Sequence, residues 1–145
     1  MKSTYYEHLS TKDRLKQIEM IQKSKALYKR KQYFTRKKLK YPMKVSRHIK
    51  RAQKLYGLKI IPSKQLALKT GCSLKALNKI VKKGEGAYYS SGSRPSQTPQ
   101  SWAYARLASA VTGGNASKAD YNIIKTCDPR KPAFKLALRN ADDSR

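Results

Sequence analysis

The chain has 145 residues, of which 34 are lysine or arginine and only 8 are aspartate or glutamate, for a formal charge of +26 at pH 7. This length allows one domain with an added arm, and the few, scattered carboxylates argue against a pair that holds a catalytic divalent metal. The first ten residues lack the apolar core of a signal peptide, and no apolar run approaches the roughly 18 residues that span a bilayer, so we expect no membrane insertion.

The basic residues are concentrated in the first half of the chain. Residues 1–83 carry 25 basic and 3 acidic side chains, whereas residues 84–145 carry 9 and 5. No acidic residue lies between Glu19 and Glu85, a run of 65 positions that holds 21 lysines and arginines. Such a run repels itself unless an anionic partner screens it. Because lysines outnumber arginines 24 to 10, the composition favours binding by charge over the reading of base edges.

Residues 1–44 are predicted to form a basic helical arm. Ser10 and Asp13 form a capping-box pattern, and apolar residues at helical spacing predict a helix over residues 11–30. Beyond it the apolar face narrows, which favours an arm that orders against a partner, and Pro42 ends the arm. The candidate binding residues of this arm are Lys29, Arg30, Lys31, Arg36, Lys37, Lys38 and Lys40.

Aromatic residues alternate with the cations of this segment. They are Tyr28, Tyr33, Phe34 and Tyr41. Aromatic rings among cations can stack on bases or lie on a protein partner. The alternative is a solvated basic face without a partner, but 21 uncompensated charges exceed what solubility requires.

Residues 45–139 are predicted to fold as a small helical domain. Serines predict the starts of three short helices and glycines their ends, over Ser46–Gly57, Ser63–Gly71 and Ser73–Gly84. The first of these helices carries three further candidate binding residues, which are Arg47, Lys50 and Arg51.

Within this domain, residues 63–84 resemble a helix-turn-helix, in which the second helix enters the major groove of DNA. The side chains expected at base edges are Ser73, Lys75, Ala76 and Lys79, with Asn78 facing adenine and Lys82 and Lys83 at phosphates. The alternative is a corner of two helices that only packs the core. The second helix lacks arginine and glutamine, which argues against strong sequence reading.

Glycine, serine and proline dominate residues 84–101, which are predicted to form a long loop. Further helices are predicted to start at Thr98, Ser117 and Pro132, and residues 140–145 are predicted to form a tail. No strand pair is evident. The predicted class is therefore all-α, with several short helices around a small core.

The predicted loop and the helix after it offer hydroxyls and guanidinium groups. These could bind an oxyanion near the start of that helix, through Ser90, Ser91, Ser93, Arg94 and Arg106. The order of residues required for a nucleotide-binding P-loop is absent. The favoured alternative is a structured turn in which the serines bond to local backbone groups.

The two cysteines, Cys72 and Cys127, could form one bridge at most. Because nothing resembles a disulfide framework, we expect a reducing site of synthesis, with Cys72 as a small buried residue in a tight turn. The sequence names no partner for Cys127. His8 and His48 lie far apart and show no metal-site spacing, so neither a metal nor another cofactor is expected.

A resemblance to a known family is found in residues 69–121, KTGCSLKALNKIVKKGEGAYYSSGSRPSQTPQSWAYARLASAVTGGNASKADY. This string resembles a small, basic, uncharacterised domain family of giant and algal double-stranded DNA viruses. The resemblance covers residues 5 to 125, and residues 86–109 are its most specific part. No activity is known for that family, so no residue inherits a role. The resemblance implies a viral setting, in which small basic proteins are most often virion components.

Charge and resemblance together predict a non-enzymatic structural protein of a large DNA virus. It would be a minor capsid or core protein that binds acidic capsid surfaces or packaged double-stranded DNA by charge. It would lie in the virion, and in the host cytoplasm during assembly. The first alternative is a helix-turn-helix regulator that binds DNA. The second is an enzyme or binder that acts on a phosphorylated ligand at Ser90–Arg106.

Overall fold

The computed structural model describes residues 1–41 and 45–143. All regular structure in these residues is helical, which confirms the predicted all-α class. A short 3-10 turn at Ser3–Tyr5 precedes the α-helices. The helices are α1 (Thr11–Lys29), α2 (Arg47–Tyr56), α3 (Lys64–Thr70), α4 (Leu74–Ser90), α5 (Pro99–Val111), α6 (Asn115–Ala119), α7 (Tyr121–Ile124) and α8 (Pro132–Asp143). Pro42, expected to end the arm, lies outside the described residues.

Local capping signals set most of the helix starts. A side-chain oxygen accepts a hydrogen bond from a backbone N–H two or three residues later, at 3.0–3.2 Å, at Ser10, Ser46, Ser63, Ser73 and Thr98. Each bond satisfies one of the free N–H groups of a helix start. Gly57 and Gly71 end α2 and α3 in the left-handed conformation, at φ +67° and +83°. These starts and ends are where the sequence predicted them.

The predicted loop over residues 84–101 is wrong in its first part, because α4 continues through Gly84 to Ser90. A Cβ added to Gly84 would lie 2.6 Å from the Cα of Ala103. This glycine therefore allows α5 to pack directly against α4, and it does not end the helix. The connection that remains is only residues 91–98.

Two predictions near the C-terminus are also wrong. Ser117 lies inside α6 rather than at a helix start, and its hydroxyl donates to the carbonyl of Gly114 at 2.6 Å. The predicted tail at residues 140–145 is helical as far as it is described, because α8 extends to Asp143. Residues 144–145 lie outside the described part of the chain.

The chain divides into two compact units, and the second comprises Val45–Gly84 and Ala103–Arg145. Its core is built from apolar side chains of the short helices, and the large members with no exposed surface are Leu66, Leu77, Ile80, Leu107, Val111 and Ile124. Leu68 and Leu74, by contrast, are 76% and 39% exposed. The core is therefore smaller than the count of leucines indicates.

The first unit comprises Met1–Lys44 and Glu85–Trp102. This differs from the predicted separate arm, because residues 85–102 pack with the N-terminal residues. The Arg36 backbone N–H donates to the Tyr88 hydroxyl at 2.9 Å, and the Ser24 hydroxyl donates to the carbonyl of Tyr89 at 3.1 Å. Such contacts give the basic N-terminal segment tertiary structure within its own unit.

Candidate nucleic-acid interface

Helix α4 presents a row of lysines that begins directly after the turn between α3 and α4. Its exposed polar side chains lie three, four and seven residues apart, which places them on one side of the helix. Together with Leu74 they line a shallow surface depression, and they are Lys75, Asn78, Lys79 and Lys82. Lys83 is also exposed, one turn after Lys79. We call these four lysines and Asn78 the α4 lysine face.

One residue predicted at base edges does not reach the surface. Ala76 is only 5% exposed, so it belongs to the core and cannot contact a base. Ser73 is exposed, but its hydroxyl accepts a hydrogen bond from the Ala76 N–H and so caps α4. The remaining face is cationic and has one amide, which suits phosphate contacts better than base reading.

The turn before α4 is held by bonds on both sides. The Thr70 hydroxyl donates to the carbonyl of Leu66 at 2.8 Å and accepts from the Cys72 N–H at 3.1 Å. The carbonyl of Gly71 accepts a hydrogen bond from the Asp128 N–H at 2.9 Å. These bonds fix the position at which the α4 lysine face begins.

A disulfide adds a covalent link to the same turn. Cys72 is bonded to Cys127, 55 residues later in the chain, and the two residues are 2% and 4% exposed. The sequence named no partner for Cys127, and nothing in the spacing of two cysteines identifies a bridge. The structure shows that Cys72 serves as a structural cross-link in the turn.

Helix α2 carries a second basic face in the same unit. Arg47, Lys50 and Arg51 are exposed, and their spacing places them on one side of the helix. Arg51 donates a hydrogen bond to the Thr112 hydroxyl at 3.2 Å, which fixes the direction of its guanidinium. The structure therefore brings these three predicted residues together on one helix.

In the first unit, most of the predicted binding residues are exposed. Lys29, Arg30 and Lys31 lie at the end of α1 and in the turn after it. Three more lie in the extended segment that follows, and they are Lys37, Lys38 and Lys40. Lys40 also lines a shallow depression with Ser10, Asp13 and Tyr41.

Arg36 is the exception, because it is only 5% exposed. Its guanidinium donates to the Ser24 hydroxyl, the carbonyl of Tyr88 and the Ser93 hydroxyl at 2.8–3.1 Å. It also lies 3.8 Å from the centre of the Tyr88 ring. Burial lowers the pKa of Arg36 below its ordinary value, although the neighbouring tyrosines oppose this shift. Arg36 is therefore a structural residue of the first unit, and its prediction as a binding residue is wrong.

Two members of the predicted oxyanion site, Ser93 and Arg106, have internal hydrogen-bond partners. The Ser93 hydroxyl accepts from Arg36 and donates to the carbonyl of Arg94 at 2.9 Å. In the second unit, Arg106 makes a two-pronged pair with the buried Asp120 at 2.7 and 2.8 Å, and this hydrogen bonding raises the pKa of Arg106. Ser90 is partly exposed, whereas Ser91 and Arg94 are exposed. These contacts favour the structured-turn interpretation.

Few basic side chains form ion pairs with carboxylates in the described part of the chain. The ion pairs found there are Arg106–Asp120 and Arg130–Asp128, and both lie outside the acid-free run of residues 20–84. Within that run, every described lysine and arginine other than Arg36 is exposed. The positive charge is therefore turned outward without an internal counter-charge.

The comparison with known families gives one result. Residues 2–131 match the family model described as "Family of unknown function (DUF5824)". The chain belongs to this family. The matched range includes residues of both units, among them the α4 lysine face and the basic end of α1, and it ends before α8. No curated protein and no solved structure matches the chain.

In residues 1–41 and 45–143, no three or more His, Cys, Asp or Glu side chains lie together in a way that could hold a metal ion. No described helix is both long and apolar enough to cross a membrane.

Proposed function

We propose that this protein binds double-stranded DNA by charge, as a non-enzymatic structural component of a nucleoprotein assembly. The supporting observation is the α4 lysine face, which is exposed and makes no ion pair with a described carboxylate. The face begins directly after a turn that the Cys72–Cys127 disulfide cross-links. Lysines in this arrangement neutralise phosphates and release counterions, which gives affinity without sequence selection.

A large DNA virus is the setting that we propose, on the resemblance of residues 69–121. There the protein would be a minor capsid or core protein, and the exposed cations of both units would lie against packaged DNA or acidic capsid surfaces. Its presence in purified particles, measured by mass spectrometry, supports this setting. Its absence from such particles contradicts it.

DNA binding is tested by titrating a labelled random-sequence duplex at several salt concentrations. We expect a steep loss of affinity with salt, with a log–log slope of about −0.9 for each phosphate neutralised. The triple substitution of Lys75, Lys79 and Lys82 by glutamine should make the slope shallower by about 2.7, since it removes three phosphate contacts.

A matched control removes the same charge from elsewhere in the second unit. Lys118, Lys125 and Lys135 are exposed and lie outside the acid-free run, so their replacement by glutamine should leave the slope nearly unchanged. Equal effects of both triple variants would show that only net charge matters and that α4 is not the contact. Failure of the native protein to bind any duplex at low salt would reject DNA as the partner.

The α3–turn–α4 arrangement also favours a second candidate, a helix-turn-helix regulator. Asn78 is exposed on the α4 lysine face and could bond to an adenine edge. This candidate requires a preferred site, with binding at least about 10³-fold tighter than to random DNA. Selection of oligonucleotides from a random pool decides between the two, because charge binding enriches no sequence.

A further inference from the structure

Three tyrosine rings form a cluster in the first unit, and one of them, the ring of Tyr89, lies near the C-terminal end of α4, beyond the α4 lysine face. The rings of Tyr28 and Tyr89 are stacked, with centres 6.2 Å apart and planes at 10°. The ring of Tyr33 lies 5.1 Å from that of Tyr89 and 6.1 Å from that of Tyr28. Tyr33 is 67% exposed and Tyr28 is 36% exposed. We call these three residues the tyrosine cluster.

The chain reversal after α1 places Tyr33 in this cluster at a conformational cost. The N–H groups of Lys31 and Gln32 donate back to the carbonyls of Tyr28 and Leu27 at 2.9 Å. Lys31 adopts φ +59°, in the left-handed region that disfavours residues with a side chain. Glycine would fit this turn without strain, yet the position holds a lysine that faces solvent.

A buried layer, formed by Tyr88 and Arg36, supports the cluster from the interior. Tyr88 has no exposed surface, and its ring meets that of Tyr89 edge-on with centres 5.2 Å apart. The buried guanidinium of Arg36 stacks on Tyr88 from within the unit. Tyr89 is therefore held in place, and the stacked pair presents aromatic surface that needs no rearrangement.

Cations lie close in sequence to two of these three rings. Lys29, Arg30 and Lys31 are exposed and adjoin Tyr28 and Tyr33 in sequence. A nearby phenylalanine, Phe34, has the ammonium of Lys23 4.6 Å from its ring centre. Exposed aromatic rings among cations provide the two contacts that single strands use, which are stacking with bases and attraction of phosphates.

We propose that the tyrosine cluster binds single-stranded nucleic acid by stacking on unpaired bases. The bases of a duplex are already stacked and paired, so an exposed ring has no free base face to cover there. An acidic protein segment would use the cations but would leave the rings without a matching surface. The site lies within the first unit and does not depend on duplex binding by α4.

The test compares a labelled oligothymidine with an abasic oligomer of the same length, which has the same phosphates but no bases. The native protein should bind oligothymidine at least about fivefold more tightly, since one stacked base contributes about that much or more. Tyr33→Ala should abolish this preference, and Tyr33→Phe should retain it. Because Tyr33 is mostly exposed, circular dichroism should show that both variants fold.

Two controls separate stacking from charge and from the α4 site. Lys29→Gln should weaken both oligomers to a similar extent, whereas Tyr33→Ala should weaken only oligothymidine. The triple glutamine variant of α4 should keep the preference for bases even where duplex binding is lost. Photo-cross-linking to an iodouracil-substituted oligomer should map to peptides that contain Tyr28, Tyr33 or Tyr89.

Equal affinity for the two oligomers would overturn the proposal, as would cross-links confined to peptides without these tyrosines. If polyglutamate displaces oligothymidine and Tyr33→Ala weakens polyglutamate equally, the cluster is a site for an acidic protein instead. Loss of duplex binding alone would reject only the function proposed for α4.

Discussion

Reduction of the disulfide between Cys72 and Cys127 should lower the stability of the fold, and the size of this loss follows from the length of the loop that the disulfide closes. The bridge joins two residues of the second unit that are 55 positions apart in the chain, and the loop that it closes includes residues 85–102 of the first unit. The loop-entropy relation then gives about 4 kcal/mol of stabilisation at 25 °C, which arises mainly from restriction of the unfolded chain. Since whole domains are stable by only about 5–15 kcal/mol, reduction should remove a large share of the stability.

Urea unfolding of the oxidised and reduced proteins, followed by circular dichroism, measures this difference. The reduced protein should unfold at lower urea, with a steeper dependence on urea because its unfolded chain is less compact. A variant with both cysteines replaced by alanine should unfold like the reduced protein and should not respond to reductant. Coincident curves for the oxidised and reduced forms would refute the reasoning, as would two free thiols in protein purified without reductant.

Two further predictions concern stability and use neighbouring residues as controls, with urea unfolding as the measurement. Gly84→Ala should destabilise the protein by about 1–2 kcal/mol because its Cβ would collide with Ala103, whereas Gly86→Ala in the same helix has room and should be neutral or stabilising by up to about 1 kcal/mol. A Gly84→Ala protein as stable as the native protein would contradict the close contact between Gly84 and Ala103. Arg36→Met should cost about 2–4 kcal/mol because it leaves three buried acceptors unbonded, whereas Lys37→Met should stay within about 0.5 kcal/mol. Equal effects of these two substitutions would mean that Arg36 is not buried.

The helix starts could be predicted from the sequence because their causes are local. Ser10, Ser63 and Ser73 each bond to an N–H three residues later, so the signal and its effect lie within one turn. The sequence around Gly84 contains no local signal that shows whether this glycine ends the helix. A glycine that ends a helix and a glycine that admits a neighbouring helix look the same until the neighbour is known, and here the neighbour is Ala103.

The interior role of Arg36 could not be predicted for a related reason. It is one of 21 cations in the acid-free run, and nothing adjacent marks it as different. Its acceptors include Tyr88 and Ser93, which lie 52 and 57 residues later in the chain. The tyrosine cluster shares this difficulty, because the sequence showed aromatics among cations but not that Tyr89 joins Tyr28 and Tyr33.

The lysines and the tyrosines that we assign to nucleic-acid binding form two separate surfaces. The α4 lysine face belongs to the second unit and contains no aromatic ring, whereas the tyrosine cluster belongs to the first. Duplex binding and single-strand binding should therefore respond to different substitutions, each with its own control. If every basic variant instead weakened both nucleic acids in proportion to the charge removed, and Tyr33→Ala weakened neither, the protein would act as a diffuse polycation. The two surfaces would then have no separate roles, and both proposals would fail together.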